Sequence, residues 1–182
     1  MIYDLSHRAP RSTFELTRES GVYAIFLQPN ATLPSLVRRR DGILYVGRTQ
    51  AESGFAGRDH FSTSFTSSTV RQSLAVLLET ELGLNAVAAR RTWSLDAQSD
   101  DKLKAWMQQH LLLAVEPRSD APLYEQRMIW EYQPPFNLKD CIQTEAHEKL
   151  SALRRDMQLR CRQSDPHDRL EKFVLPRRLN RQ

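Results

Sequence analysis

Glu125 lies three, four and seven residues before Met128, Ile129 and Tyr132, so on a helix its carboxylate shares the face those core-type side chains define. Burying a bare carboxylate is costly, so the group must be neutral, paired with a cation or bound to a metal. An ion pair with a nearby arginine is one solution. Glu131 projects to another face and is expected in solvent. Earlier in the chain, GILYVGRT (residues 42–49) sets a phenol, Tyr45, and a guanidinium, Arg48, on either side of a glycine in an otherwise apolar run. A phenol orients water or an oxyanion, and a guanidinium binds phosphate or carboxylate oxygens through two parallel donors.

Short strands and amphipathic helices must position these groups. Residues 21–27 and 42–47 are apolar runs rich in β-branched and aromatic residues, bounded by Pro, Asn, Asp and Gly, and read as a hairpin joined by a long, partly basic loop. Val70, Leu74, Leu77, Leu78 and Leu82 keep helical spacing behind a Ser68 or Thr69 cap, and Gly83 closes that helix. A helix capped by Asp100 and running to 110, a buried strand over 111–117 and a helix over 121–132 follow. Pro134 and Pro135 end that last helix. Residues 144–163 form a charged amphipathic helix ahead of a basic tail. The pattern predicts an α/β (α+β) fold, with a small central antiparallel sheet of about three strands flanked by helices. Trp93, Trp106 and Trp130 are expected in its core.

With 182 residues, the chain suits one domain with terminal additions. The divisions read as an N-terminal extension over 1–19, a domain over 20–140, and a C-terminal helix and tail over 141–182. The N-terminus lacks the apolar core of a signal peptide, and no apolar run approaches the ~18 residues of a membrane span, so a soluble cytoplasmic protein is expected. Cys141 and Cys161 form no CxxC pair, and His110, His147 and His167 lack metal spacing. From Leu153 to Gln182 nine Lys or Arg face four acids, a local excess of +5 in a chain of net charge +4. A basic tail on a near-neutral body fits a polyanion partner, and also fits a simple solvated surface.

The order of pieces resembles the GIY-YIG nuclease superfamily, and its standalone bacterial members in particular: Gly21-Val22-Tyr23, Tyr45-Val46-Gly47, Arg58 with His60, Glu125 on its helix, and Asn137 after Pro-Pro. The resemblance covers about residues 20–140. It implies a metal-dependent endonuclease hydrolysing phosphodiester bonds in DNA, or in RNA, with one Mg2+ (or Mn2+) held by Glu125. Such an ion keeps most of its waters and needs only one or two carboxylates. The resemblance also implies that Tyr23 or His60 activates the attacking water, that Tyr45 orients water or phosphate, that Arg58 or Arg71 neutralises the transition state, and that Asn137 sets the geometry of the site.

Arg48 takes a position where some relatives carry lysine, which suits it to electrostatic support rather than proton transfer. Arg38, Arg39 and Arg40 in the enlarged hairpin loop, and Arg71, are further candidates for nucleic-acid contact. Two other readings stay open: a non-catalytic nucleic-acid-binding module that keeps the fold, and a C-terminal helix that serves dimerisation or a partner protein, with the tail irrelevant to nucleic acid.

Overall fold

A computed structural model describes residues 7–15, 18–34, 41–49, 54–62, 64–90, 92–139 and 141–164. In chain order the elements are β1 (Gly21–Leu27), β2 (Ile43–Arg48), α1 (Thr69–Leu82), β3 (Ala86–Ala89), β4 (Thr92–Leu95), α2 (Ala97–His110), β5 (Leu111–Pro117), α3 (Ala121–Tyr132) and α4 (Glu145–Ser164). β1 is the middle strand of an antiparallel sheet of order β2-β1-β5, and all seven of its residues are buried, as its unbroken apolar run requires. The expected three-stranded sheet flanked by helices is therefore present.

Alternation along β1 divides the core. Tyr23, Ile25 and Leu27 join the larger cluster with α1, α2, β4 and α4, whereas Val22, Ala24 and Phe26 pack with Met128 and Ile129 of α3. A bulge opposite Ile25 and Phe26 adds a residue to β2, so Leu44 and Tyr45 both lie on the side of the larger cluster while Ile43 and Val46 face α3. Gly21 opens β1 where a Cβ would come within 2.3 Å of the Glu116 carbonyl oxygen and 2.6 Å of the Phe55 ring. Beyond β5, Ala9 bridges Leu113 through hydrogen bonds of 3.1 and 2.9 Å and begins a further edge.

Helix α1 is buried without a break from Val70 to Leu78, because α2 and α4 cover the flank that the sheet leaves open. Ser68 caps it by accepting the Arg71 N–H at 3.1 Å, and Gly83, at φ +56°, ends it in the left-handed conformation. Helix α2 starts one turn earlier than the Asp100 cap predicts: Asp96 takes the capping role, accepting the Ser99 N–H at 2.8 Å, and Asp100 in the first turn pairs with Arg71 instead. The hairpin β3–β4 has no counterpart in the sequence expectations. Its strands are four residues long, and only β4 alternates, with Trp93 and Leu95 inward and Thr92 and Ser94 half-buried.

α4 is not an appendage. Leu150, Met157 and Cys161 enter the larger cluster, and the helix packs on α1, β3 and β4. The apolar face that offered a dimer contact is thus largely used within the chain, though Leu153 and Leu159 stay exposed. Trp93 and Trp106 are buried as expected, but Trp130 is 68% exposed: it occupies the outer face of α3 with Leu123, seven residues earlier. Neither cysteine is in a disulfide. Among the described residues, no helix is long and apolar enough to cross a membrane. The basic tail from 165 onward and Arg38–Arg40 fall outside the described residues.

The outer edge of β2 is closed by the segment after α3. Asn137 Oδ1 accepts the Val46 N–H at 2.9 Å, its Nδ2 donates to the Val46 carbonyl at 2.8 Å, and the Phe136 N–H donates to the Leu44 carbonyl at 3.0 Å. The Asn137 amide thus replaces a neighbouring strand for one residue, in a buried position. Asn137→Ala leaves two buried backbone groups unpaired and is expected to lower unfolding free energy in urea titrations by about 3 kcal/mol. A loss below about 1 kcal/mol would mean that these bonds do not hold the edge.

Candidate active site

Tyr23 and Gly47 are directly paired across β1 and β2, and a Cβ on Gly47 would stand 2.5 Å from the tip of the Tyr23 ring and 2.8 Å from the Tyr45 ring. The glycine is the space that the two phenols occupy. Tyr23, Tyr45 and His60 pack ring against ring, with centroids 6.0, 5.7 and 5.2 Å apart for Tyr23–Tyr45, Tyr23–His60 and Tyr45–His60. Tyr23 and His60 are buried, while Tyr45 is half-exposed.

Hydrogen bonds order this cluster into a chain. Fully buried Ser68 accepts the Arg71 N–H, and among the described contacts the acceptor in reach of its own proton is His60 Nδ1, 2.8 Å away; the reverse tautomer would bury that proton unpaired. In that tautomer His60 Nε2–H donates to the Tyr23 oxygen at 2.8 Å, which leaves the Tyr23 proton for Tyr45, the phenol packed on its other side. Ser68 and the direction of this chain carry no signal in the sequence beyond a helix cap.

The electrostatics keep the chain neutral. Burial holds the Tyr23 phenol well above its ordinary pKa, and Tyr45 adds to the shift. Burial also raises Tyr45, against the hydrogen bond from Tyr23, which lowers it. Burial first, and then the positive charge of Arg58, push His60 down to about 4.

The loop bearing His60 is held by its neighbour. Asp59 accepts Arg11 Nη2 at 2.7 Å and Nε at 3.1 Å, the Phe61 N–H at 3.1 Å and the Ser62 hydroxyl at 3.0 Å. Burial raises the Asp59 carboxyl, but these donors outweigh it and leave its pKa below the ordinary value. Arg58 sits exposed on the single turn just before, close enough for its charge to act on Tyr23, Tyr45 and His60.

On the other side of Tyr45, at the β2 edge, lies a cleft of about 740 Å³ whose walls include Tyr45, Arg48, Glu125, Asn137, Lys139 and Arg154. Glu125 reaches it from α3 with 21% of its side chain exposed, and Arg48 Nε stands 3.0 Å from its Oε2. Of the outcomes open to this carboxylate, the structure shows the ion pair, and Glu125 also faces a cleft.

Tyr23, Tyr45, Arg58, His60, Glu125, Arg48 and Asn137 thus gather around the end of the β1–β2 hairpin. Arg71 does not join them. Its side chain is 1% exposed, paired with Asp100 and directed into the body, so the expected nucleic-acid contact is corrected to an internal ion pair. Arg38 and Arg40 lie outside the described residues. Lys139 and Arg154, which the sequence reading did not single out, line the cleft. Among the described residues, no group of three His, Cys, Asp or Glu side chains could hold a metal, which leaves Glu125 as the carboxylate of the cleft.

The comparison with known families identifies the class of domain to which this fold belongs. The family model described as the GIY-YIG catalytic domain matches residues 21–162, from the first residue of β1 into the last turn of α4, and the chain belongs to that family. The family acts on nucleic acid and generally uses divalent metal. No curated protein and no solved structure matches the chain.

Because His60 binds its proton near pH 6.5 when unfolded and only near 4 when folded, the unfolded chain takes up more protons between those values. Stability therefore falls as pH drops through that window, by roughly 3 kcal/mol for this group once pH is below 4. In urea titrations across the range, His60→Gln is expected to lose less stability on acidification than the parent. Parallel pH profiles would show that His60 is not buried and neutral.

Proposed function

We propose that the protein is a metal-dependent endonuclease that hydrolyses phosphodiester bonds in DNA. The observation that carries this reading is that Tyr45, Arg48, Glu125 and Asn137 line one cleft, with Tyr23 and His60 packed behind Tyr45.

The donor chemistry suits a hard divalent cation. Glu125 offers a carboxylate at a polar, open cleft, and Mg2+ or Mn2+ can be held by one carboxylate with water and substrate oxygens completing the shell. When bound, such an ion supplies Lewis-acid stabilisation of charge on the phosphate and the leaving oxygen.

The protein's own groups divide the remaining tasks. Arg48 is 44% exposed, which gives its guanidinium freedom to leave Glu125 and meet a phosphate. Arg58, rather than buried Arg71, places positive charge beside the phenols and neutralises the transition state. Tyr45 faces the cleft and receives a hydrogen bond from Tyr23, so negative charge is better tolerated on Tyr45 than on Tyr23. Tyr45 orients the attacking water and, once ionised to the phenolate, takes its proton, in preference to the alternatives Tyr23 and His60, which lie one and two steps behind it. Asn137 fixes the strand that carries Tyr45 and Arg48.

The Arg48–Glu125 pair also favours a second reading, a nucleic-acid-binding module in which the carboxylate serves only to hold the arginine. Plasmid incubated with the protein and Mg2+ or Mn2+ separates the two. The endonuclease yields nicks or breaks, and Glu125→Ala lowers the rate at least about a thousandfold, the equivalent of several kcal/mol of transition-state stabilisation. Salt-sensitive binding without cleavage would establish the module, and cleavage surviving Glu125→Ala would remove Glu125 from the mechanism.

A further inference from the structure

Four arginines among the described residues are buried or half-buried: Arg71 is buried, and Arg11, Arg118 and Arg154 are half-buried. Three of them are neutralised by a carboxylate, Arg11 by Asp59, Arg71 by Asp100 and Arg118 by Glu116 and Asp120. Arg154 on α4 breaks the pattern. Its Nη2 donates to the side-chain carbonyl of Gln72 on α1, a neutral acceptor, and among the described residues no carboxylate pairs with it. Burial alone accounts for a lowered pKa, since no acid offsets the desolvation of its charge.

Gln72 is itself fixed. It is buried, and its Nε2 donates to the Thr66 carbonyl at 2.9 Å and the Phe65 carbonyl at 3.4 Å, which leaves its Oε1 for Arg154. A guanidinium is thus pre-positioned in a wall of the Glu125 cleft at a cost in desolvation, and its remaining donors are free of any described acid.

We propose that Arg154, oriented by Gln72, binds a backbone phosphate of the nucleic acid in this cleft, so that the substrate supplies the counterion the protein omits. The inference rests on the nuclease reading and adds α4 to the substrate surface. Arg154 is a binding residue here, separate from the groups around Tyr45 that touch the reacting phosphate. A phosphate matches the planar guanidinium in charge and geometry, and one such contact releases about one condensed counterion from duplex DNA.

Binding of a short fluorescein-labelled DNA duplex to the full chain, followed by anisotropy over a salt series in EDTA, tests the assignment without cleavage. Arg154→Ala is expected to weaken binding about tenfold and to reduce the slope of log affinity against log salt by about 0.9. Arg154→Lys keeps the slope but recovers only part of the affinity, and Gln72→Ala weakens binding at unchanged slope. Arg160→Ala, which removes a cation paired with Glu79 and Asp156, changes neither. Parental affinity and slope in Arg154→Ala overturn the inference while leaving the nuclease reading intact. A parent chain that neither binds nor cleaves nucleic acid overturns that reading, and this inference with it. Should Arg154→Ala fail to fold, Arg154→Lys and Gln72→Ala carry the test, and parental affinity in both overturns the proposal.

Discussion

The pairing of Tyr23 with Gly47 across β1 and β2 is the constraint on which the site depends. Two phenols and an imidazole must fit against one another on a sheet face, and the face has room because the residue opposite Tyr23 has no side chain. A slip of one residue would turn Tyr23 to the α3 side and separate it from His60 and Tyr45. The bulge at Leu44 works in the same direction. It keeps Tyr45 on the side of Tyr23 while returning Val46 to the α3 cluster. Register and bulge are thus both backbone conditions for one cluster of side chains.

That cluster also ties the sheet to α1. Ser68 caps α1 with one lone pair and gives its proton to His60, so the start of the helix and the orientation of the imidazole are set by the same hydroxyl. Arg11 reaches from outside the matched domain to hold Asp59, next to His60, and Arg8 lays its guanidinium 4.0 Å over the Phe26 ring. The N-terminal segment therefore braces both the sheet and the loop that carries Arg58 and His60.

Much of this was legible in the sequence, and the limits have physical causes. The β1–β2 hairpin, β5, α1 and α3 could be placed because their apolar periods are long and bounded by Gly, Pro or a cap. Tyr23, Tyr45, His60 and Glu125 could be gathered because a resemblance supplied their order. Residues 86–95 gave no signal, since four-residue strands with alanines on one side hardly alternate. Arg71 and Arg154 show the deeper limit. Both are arginines on amphipathic helices, and nothing local distinguishes them. Asp100, twenty-nine residues away from Arg71, turns one into an internal pair, whereas Gln72, eighty-two residues from Arg154, leaves the other with its charge unanswered. Trp130 fails for a similar reason: its type argues for the core, but its place on α3 faces away from both clusters.

The direction of the hydrogen-bond chain bears on how a phenol could serve the proposed reaction. Burial raises both tyrosines, which opposes ionisation of either. The two are not equivalent, however, because Tyr23 donates and Tyr45 receives. His60, neutral at ordinary pH, donates to Tyr23 and so frees the Tyr23 proton to point at Tyr45 rather than back into the core. Each step of the chain thus aims a donor toward the cleft, and the sole group that both receives this support and meets solvent is Tyr45. Positive charge from Arg58 lowers the cost of a phenolate there in the same sense. In the proposed reaction the buried histidine would act through two tyrosines without contacting substrate, and its value would lie in which way its proton points.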